Sequence, residues 1–329
     1  MKNIKIALQT DVGLGLGEIT RINVNNDNVW NPISEIANRN TSLMYVVPSD
    51  NLYMLNGVPM ANAWVLELLN KQNKGYSRFV VTRQEQIPIN SLDALIMRGD
   101  DIESNHNLEL VYSSLDRSSL FIPIELSDMK ATKDKLDTAK RFADLNIPLT
   151  YYAEDQSEMN ERIVSLFDDN HEYVVLKYRF GFGGKQVVRV DQDNFETKGA
   201  DFFNTYKQII IQEYDSSVTK GDIRSIVYDG KYVGGFERIT GGSSWLSNIS
   251  AGGRASYHKP LPGEIELCEQ IANRFSGLKF VGIDLFHSLR LIEVNGYSGG
   301  FDELKEYHGI DLAKRLIDDV YSFKQRKGE

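Results

Sequence analysis

The residues best suited to chemistry in this chain form two runs near its C-terminal end. They are Phe280-Val281-Gly282-Ile283-Asp284-Leu285-Phe286 and Leu291-Ile292-Glu293-Val294-Asn295-Gly296. Side chains alternate along a strand, so Glu293 and Asn295 share a face. If the runs pair as a hairpin with residues 287–290 as its loop, Asp284 stands opposite Glu293. Two carboxylates and an amide oxygen then converge, a hard all-oxygen donor set suited to Mg2+. A polar outer sheet face would use the same residue types, but these acids interrupt otherwise apolar strands.

A second group lies in Val174-Val175-Leu176-Lys177-Tyr178-Arg179-Phe180-Gly181-Phe182-Gly183-Gly184-Lys185-Gln186-Val187-Val188. A Walker A loop needs Ser or Thr after its lysine and then a helix; here Gln186 and a strand-like run follow. The unit is strand, glycine loop, strand. Backbone N–H groups of such a loop, at Gly181, Gly183, Gly184 and Lys185, can lie over phosphates as a lid. A plain tight hairpin has the same composition. The earlier cluster Gly13-Leu14-Gly15-Leu16-Gly17 fails as a dinucleotide fingerprint, because Glu18 occupies the third glycine position and a poor helix former follows. It reads as a flexible loop. Between the two main groups lie Gln212-Glu213-Tyr214, Gly221-Asp222-Ile223-Arg224, Arg238 and Asn248-Ile249-Ser250-Ala251-Gly252-Gly253, each weak alone.

The elements that must position these residues can be read from hydrophobic periodicity. Residues 4–8, 43–47 and 93–98 are short apolar runs with strand character, and 33–39 has helical spacing. Alternation of this kind predicts an open α/β domain over residues 1–125. Arg98 would sit at a strand's carboxyl end, where ligands of such sheets bind. Residues 134–146 read as a helix, and 173–177, 186–190, 208–213 and 224–228 read as strands of an α+β body. Helical spacing returns over 302–323. The expected division is 1–125, then a lobe 126–205 carrying the glycine loop, then a lobe 206–329 carrying the oxygen donors.

Composition narrows the function. The 329 residues include 41% hydrophobic and 25% charged residues, with a net charge of −9. That balance argues against a broad nucleic-acid or membrane surface, though not against a local basic pocket for phosphate. No apolar run reaches the ~18–20 residues of a membrane span, and the N-terminus lacks a signal-peptide core. One cysteine permits neither an intrachain disulfide nor a thiolate metal cluster, so a cytoplasmic setting fits.

In this order the motifs resemble those of the bacterial glutathione synthetases, which are ATP-grasp ligases. The resemblance rests on KLDTAKRFADL, VVLKYRFGFGGKQVVRV, QEYDSSVTKGDIRSIVYDGKYVGGFERI, NISAGG and FVGIDLFHSLRLIEVN. It extends to Leu55-Asn56-Gly57 and to Met97-Arg98 before Asp100-Asp101. It implies an α/β N-terminal domain followed by an α+β ATP-grasp body of two lobes that hold ATP. It further implies that Lys135 and Lys177 contact phosphates and that Gln212, Glu213 and Tyr214 form a hinge reading the adenine edge. Asp222 would line the nucleotide site, and Asp284, Glu293 and Asn295 would hold Mg2+, with Mn2+ as a substitute. Arg238 and Asn248 would lie near the transferring phosphate, with Lys177 sharing that role, and Arg98 and Arg238 would face the acid substrate.

The activity implied is condensation of a small-molecule or peptide carboxylate with an amine through an acyl phosphate. The partners are those substrates and further copies of the chain in a homo-oligomer. A ligase of specialised metabolism using another acid and amine is the neighbouring reading, and a non-catalytic ATP-binding regulatory module is the rival. Three features depart from the family. Leu246 replaces an arginine, Gly296-Tyr297-Ser298-Gly299-Gly300 replaces a Ser/Thr- and Pro-rich segment, and the 284–293 hairpin is one residue longer.

Overall fold

The computed structural model describes residues 4–10, 19–23, 35–36, 42–71, 76–97, 107–181, 184, 186–240, 253–296 and 300–328. The expected sites Arg98, Gly183, Lys185 and Asn248, the glycine cluster 13–17 and most of the predicted helix 33–39 lie outside the described residues. The chain divides into two compact units. One comprises Met1–Leu126, Gly277–Lys279 and Gly299–Glu329; the other comprises Ser127–Ser276 and Phe280–Ser298.

The first unit is built on a seven-stranded mixed sheet. Its strands are β1 (Ile4–Thr10), β2 (Ile19–Asn23), β3 (Ser42–Pro48), β4 (Leu52–Leu55), β5 (Val58–Lys71), β6 (Tyr76–Pro88) and β7 (Ala94–Met97), in spatial order β2-β6-β5-β3-β1-β7 with β4 on β5. Strand β1, next to the edge strand β7, runs parallel to both β3 and β7. These three strands are near-continuous apolar runs, as expected where a parallel strand is buried on both faces; Ile6, Val46 and Ile96 are all buried. The long antiparallel pair β5–β6 was not legible in the sequence. Helices Phe301–His308 and Leu312–Gly328 belong to this unit. Lys324 bonds Asp93 at 2.7 Å, Lys279 meets Asp319 at 3.2 Å, and Phe323 stands edge-on to Phe121 with centroids 5.6 Å apart. The end of the chain therefore groups with its beginning, where a single lobe 206–329 was expected.

The second unit holds two antiparallel sheets. The first has four strands, β8 (Thr150–Ala153), β9 (Val174–Tyr178), β10 (Val187–Val190) and β11 (Ile209–Glu213), in the order β10-β9-β11-β8. Helices Gln156–Asp168 and Phe195–Tyr206 cover one face, packing Met159, Ile163, Leu166 and Phe203 with Leu176, Ile209 and Ile211. Because β11 pairs with both β8 and β9, the break expected at 205/206 cuts across this sheet. The second sheet has five strands, β12 (Asp222–Tyr228), β13 (Lys231–Ile239), β14 (Arg254–Tyr257), β15 (Phe280–Leu285) and β16 (Leu291–Asn295), in the order β14-β13-β12-β15-β16. Among the described residues, no helix is long and apolar enough to cross a membrane.

Candidate active site

The site is assembled within the second unit, from the ends of its two sheets and one short helix. Asp134 starts helix Lys135–Arg141 by accepting hydrogen bonds from the N–H groups of Leu136 and Asp137, which satisfies two of the orphan donors of the first turn. That cap fixes Lys135 at the first helical position. Its Nζ donates to the Gly181 carbonyl and lies 3.9 Å from Glu293 Oε1. Lys177, on β9, donates from Nζ to Gln212 Oε1 at 2.7 Å, and Gln212 Nε2 in turn donates to Thr150 Oγ1 at 2.9 Å. Lys135, Lys177, Gln212 and Glu293 line one cleft with Thr138, Thr150, Ile210 and Leu291, enclosing about 420 Å3 with its open mouth. Burial, reinforced by the charge of Lys135 and opposed by Glu293, pushes the Lys177 amine down to about 8.

The oxygen donors occupy the hairpin register expected from the sequence: Asp284 pairs directly with Glu293 across β15–β16, and Asn295 with Gly282. A bulge follows Asp284, and Leu289 in the connecting loop has φ 60°. The additional residue of this hairpin is thus absorbed beyond the donors. Asp284 is itself held by two guanidiniums. Arg224 Nη2 donates to it at 2.9 Å and Arg224 Nε donates to its other oxygen; Arg238 Nη2 approaches Oδ2 at 2.8 Å. Arg238 also forks onto Asp222, at 2.6 and 2.8 Å. Burial would raise the Asp284 carboxyl, but Arg224 and Arg238 outweigh it and hold the group below the usual carboxylate range. Arg238 is raised: burial opposes its charge, and Asp284 and Asp222 more than restore it.

The remaining expected site residues take varied positions. Gly181 offers its carbonyl to Lys135 rather than an N–H to the cleft; its own N–H bonds Tyr178. Gly184 has φ 71°, a conformation glycine adopts readily. Arg238 is buried among carboxylates, because β12 and β13 place Asp222 directly across from it. The Glu213 side chain accepts from Leu149 N–H at 2.8 Å and from Arg290, and its own N–H bonds the Leu149 carbonyl at 3.0 Å. The Tyr214 hydroxyl accepts from Arg189 at 3.3 Å. The Glu213 side chain therefore braces neighbouring loops, and that of Tyr214 braces β10. Arg224 was absent from the expected site. Alternation from Asp222 along β12 was the signal that could have found it, since it sets both side chains on one face.

Asp284, Glu293 and Asn295 present two carboxylates and an amide on adjacent positions, and such hard oxygen donors fit a divalent cation of the Mg2+ type. Among the described residues no three His, Cys, Asp or Glu side chains cluster to hold a metal.

Two family models match the chain. "Prokaryotic glutathione synthetase, ATP-grasp domain" covers residues 134–309, and "Prokaryotic glutathione synthetase, N-terminal domain" covers residues 10–107. The chain belongs to the prokaryotic glutathione synthetase family. It is 28% identical over 325 residues to the glutathione synthetase of Bradyrhizobium diazoefficiens, covering 95% of this chain and 98% of the relative. The Escherichia coli K12 glutathione synthetase is 27% identical over 328 residues, covering 96% and 99%. Among solved structures, D-alanyl-alanine synthetase A from Vibrio cholerae superposes with a TM-score of 0.65 at 13% identity, covering 98% of this chain and 99% of that one. The ATP-grasp ligase PsnB, complexed with minimal precursor, superposes with a TM-score of 0.59 at 14% identity, covering 98% and 100%. At such identities the superpositions establish the ATP-grasp fold alone. Family membership makes the chain an ATP-grasp ligase that forms C–N bonds.

Proposed function

We propose that this ligase activates a carboxylate with ATP and captures the acyl phosphate with an amine, releasing ADP and phosphate. The observation that carries the proposal is the convergence of Lys135 and Lys177 on the cleft that also contains Glu293 and Gln212. Two cations beside a hard-oxygen face form the electrostatic surface that a nucleotide polyphosphate needs. In the first step a substrate carboxylate oxygen bonds to the γ-phosphorus as the bond to the β–γ bridging oxygen breaks, and ADP leaves. In the second step the amine nitrogen bonds to the acyl carbon, inorganic phosphate departs with the C–O electron pair, and the amine loses a proton.

This chain's residues act by placement and charge. Lys135 and Lys177 hold the phosphates, and the segment from Gln212 to Tyr214 borders the adenine. Asp222 and Arg224 orient Arg238 and Asp284, while Asn248 adds a polar group near the transferring phosphate. Asp284, Glu293 and Asn295 would hold Mg2+, which supplies Lewis-acid neutralisation of the charge developing on the phosphoryl oxygens. Arg98 is the proposed anchor of the acid substrate, since a guanidinium grips a carboxylate with two hydrogen bonds. Homo-oligomerisation is proposed on the family resemblance.

The test is phosphate release with ATP and Mg2+ across a matrix of acids and amines. Release that requires one acid–amine pair supports the ligase reading; release independent of any amine refutes it. Substrate choice is tested in the same matrix. Leu246 and the Gly-rich segment after Asn295 replace polar family residues, so the expected acid is less charged than γ-glutamylcysteine. Efficient use of γ-glutamylcysteine and glycine at sub-millimolar concentration would refute that specificity.

A further inference from the structure

Beside the two cleft lysines in sequence lies an ion pair that no step above uses. Arg179, just beyond β9, donates from Nε to Asp134 Oδ1 at 2.8 Å and from Nη2 to Oδ2 at 2.5 Å. The same Asp134 carboxylate caps the helix that begins at Lys135. Two further contacts tie these segments together: Lys135 N–H donates to the Arg179 carbonyl at 3.1 Å, and Lys135 Nζ donates to the Gly181 carbonyl. Arg179 N–H is anchored to the Gln208 carbonyl at 3.1 Å, and its guanidinium lies 5.3 Å from the Tyr152 ring and 4.9 Å from that of Phe180. The result is a closed circuit. Lys177 is linked through two covalent steps to Arg179, Arg179 through a fork to Asp134, and Asp134 through one covalent step to Lys135.

A bidentate guanidinium–carboxylate fork fixes orientation as well as distance, which a lysine or a single hydrogen bond cannot do. Both side chains are only partly exposed, at 23% and 16%, so the pair is shielded from much of the screening that weakens surface pairs. We propose that Asp134 and Arg179 are a positioning pair that sets the separation of Lys135 and Lys177 and thereby the affinity for the ATP polyphosphate. The inference rests on the proposed ATP site.

Asp134 has two duties that one substitution separates. Asn is also a good N-cap, so Asp134→Asn keeps the helix start while removing the charged fork, and Arg179→Gln removes it from the other side. The measurement is titration of each purified full-length protein with a non-hydrolysable ATP analogue and Mg2+, alongside thermal unfolding. Each single variant should bind the analogue about tenfold more weakly, the scale of effect expected when binding groups lose their alignment. The double variant should be no weaker than either single one, since the fork is lost once. Arg179→Lys, which keeps the charge without the fork, should not restore affinity. Where an acid–amine pair is known, KM for ATP should rise while KM for the acid holds. Folded single variants with wild-type affinity, or additive losses in the double variant, would overturn the positioning role and leave the ATP-site reading standing. Wild-type protein that fails to bind the analogue would overturn both.

Discussion

Gly221→Ala should damage the fold and the site together, because this glycine, just before β12, lies against the backbone of β13. Its backbone has φ 94° and ψ −165°, a region essentially reserved for glycine, and a non-glycine residue there costs about 1–3 kcal/mol. A Cβ at this position would fall 2.2 Å from the Arg238 carbonyl oxygen and 3.2 Å from Ile239 Cα, all rigid backbone. Ordinary contact begins at 3.4 Å, so the strands must open by about 1.2 Å. Overpacking of that kind adds about 1–3 kcal/mol, giving a loss of about 2–6 kcal/mol. The opening falls on the Asp222–Arg238 fork, whose 2.6 and 2.8 Å bonds do not survive a shift of that size. Gly263→Ala is the matched control in the same unit. With φ 83° and nothing within 4 Å of its Cβ, it carries backbone strain alone, about 1–2 kcal/mol. Urea unfolding followed by far-UV circular dichroism compares the two, and binding of an ATP analogue reports on the site. Equal midpoint shifts for the two variants would refute the clash argument, and so would a Gly221→Ala protein that binds nucleotide normally.

Glu293→Gln should leave stability within about 1 kcal/mol but lower turnover by roughly two decades through lost metal electrostatics; near-normal turnover at saturating Mg2+ would remove Glu293 from the metal set. Asp284→Asn should instead destabilise by about 3–5 kcal/mol in urea, because it leaves Arg224 and Arg238 short of a buried counter-charge, and loss no greater than that of Glu293→Gln would contradict this. Analogue affinity should fall as pH rises through about 8, where Lys177 loses its proton, and Lys177→Arg should abolish that step; an unchanged profile in the variant would assign the titration elsewhere. His258, buried and 2.7 Å from the buried Glu264, is raised: burial opposes its charge, and Glu264 and then Glu237 outweigh it. Its contribution to stability should be full below the ordinary histidine value near ~6.5 and decline as pH rises through the higher folded value, so His258→Gln should flatten the urea midpoint on the alkaline side.

Much of the site was legible because local rules fix it. Strand alternation placed Asp284 opposite Glu293, and the hairpin adopts that pairing, although a bulge that pairs Leu285 with Leu291 and a bond from Phe286 N–H to the Arg290 carbonyl replace the even loop 287–290. The helical pattern from residue 134 was equally local, although Asp134 itself proves to be the cap of a helix that runs Lys135–Arg141. The features not legible depend on partners distant in sequence. Arg238 was expected to face a phosphate, yet whether a strand arginine reaches solvent or a carboxylate is decided by the neighbouring strand, here by Asp222. The end of the chain packs beside Asp93 through Lys324, a contact that no periodicity over 302–323 can reveal. The long β5–β6 hairpin was obscured because residues such as Asn62, Glu67 and Gln84 interrupt its apolar pattern.

The ion pairs around Asp284 also bear on how an acidic chain, with a net charge of −9, could offer the proposed polyphosphate site. Asp222, Asp284 and Glu293 face Arg224, Arg238, Lys135 and Lys177, so three carboxylates are set against four cations. Burial alone would raise the Asp284 carboxyl; the two guanidiniums hold it below the usual carboxylate range. The same carboxylates restrain the arginines, which would otherwise compete with the lysines for phosphate. Among the described residues Lys135 and Lys177 line the cleft, and each has a neutral hydrogen-bond partner, Lys135 the Gly181 carbonyl and Lys177 the Gln212 amide, with the Glu293 carboxylate 3.9 Å from Lys135. A neutral hydrogen bond orients an ammonium without cancelling its charge. Local positive potential therefore survives in a protein whose overall field would repel ATP, which ties phosphate binding to the geometry of two lysines rather than to a broad basic surface.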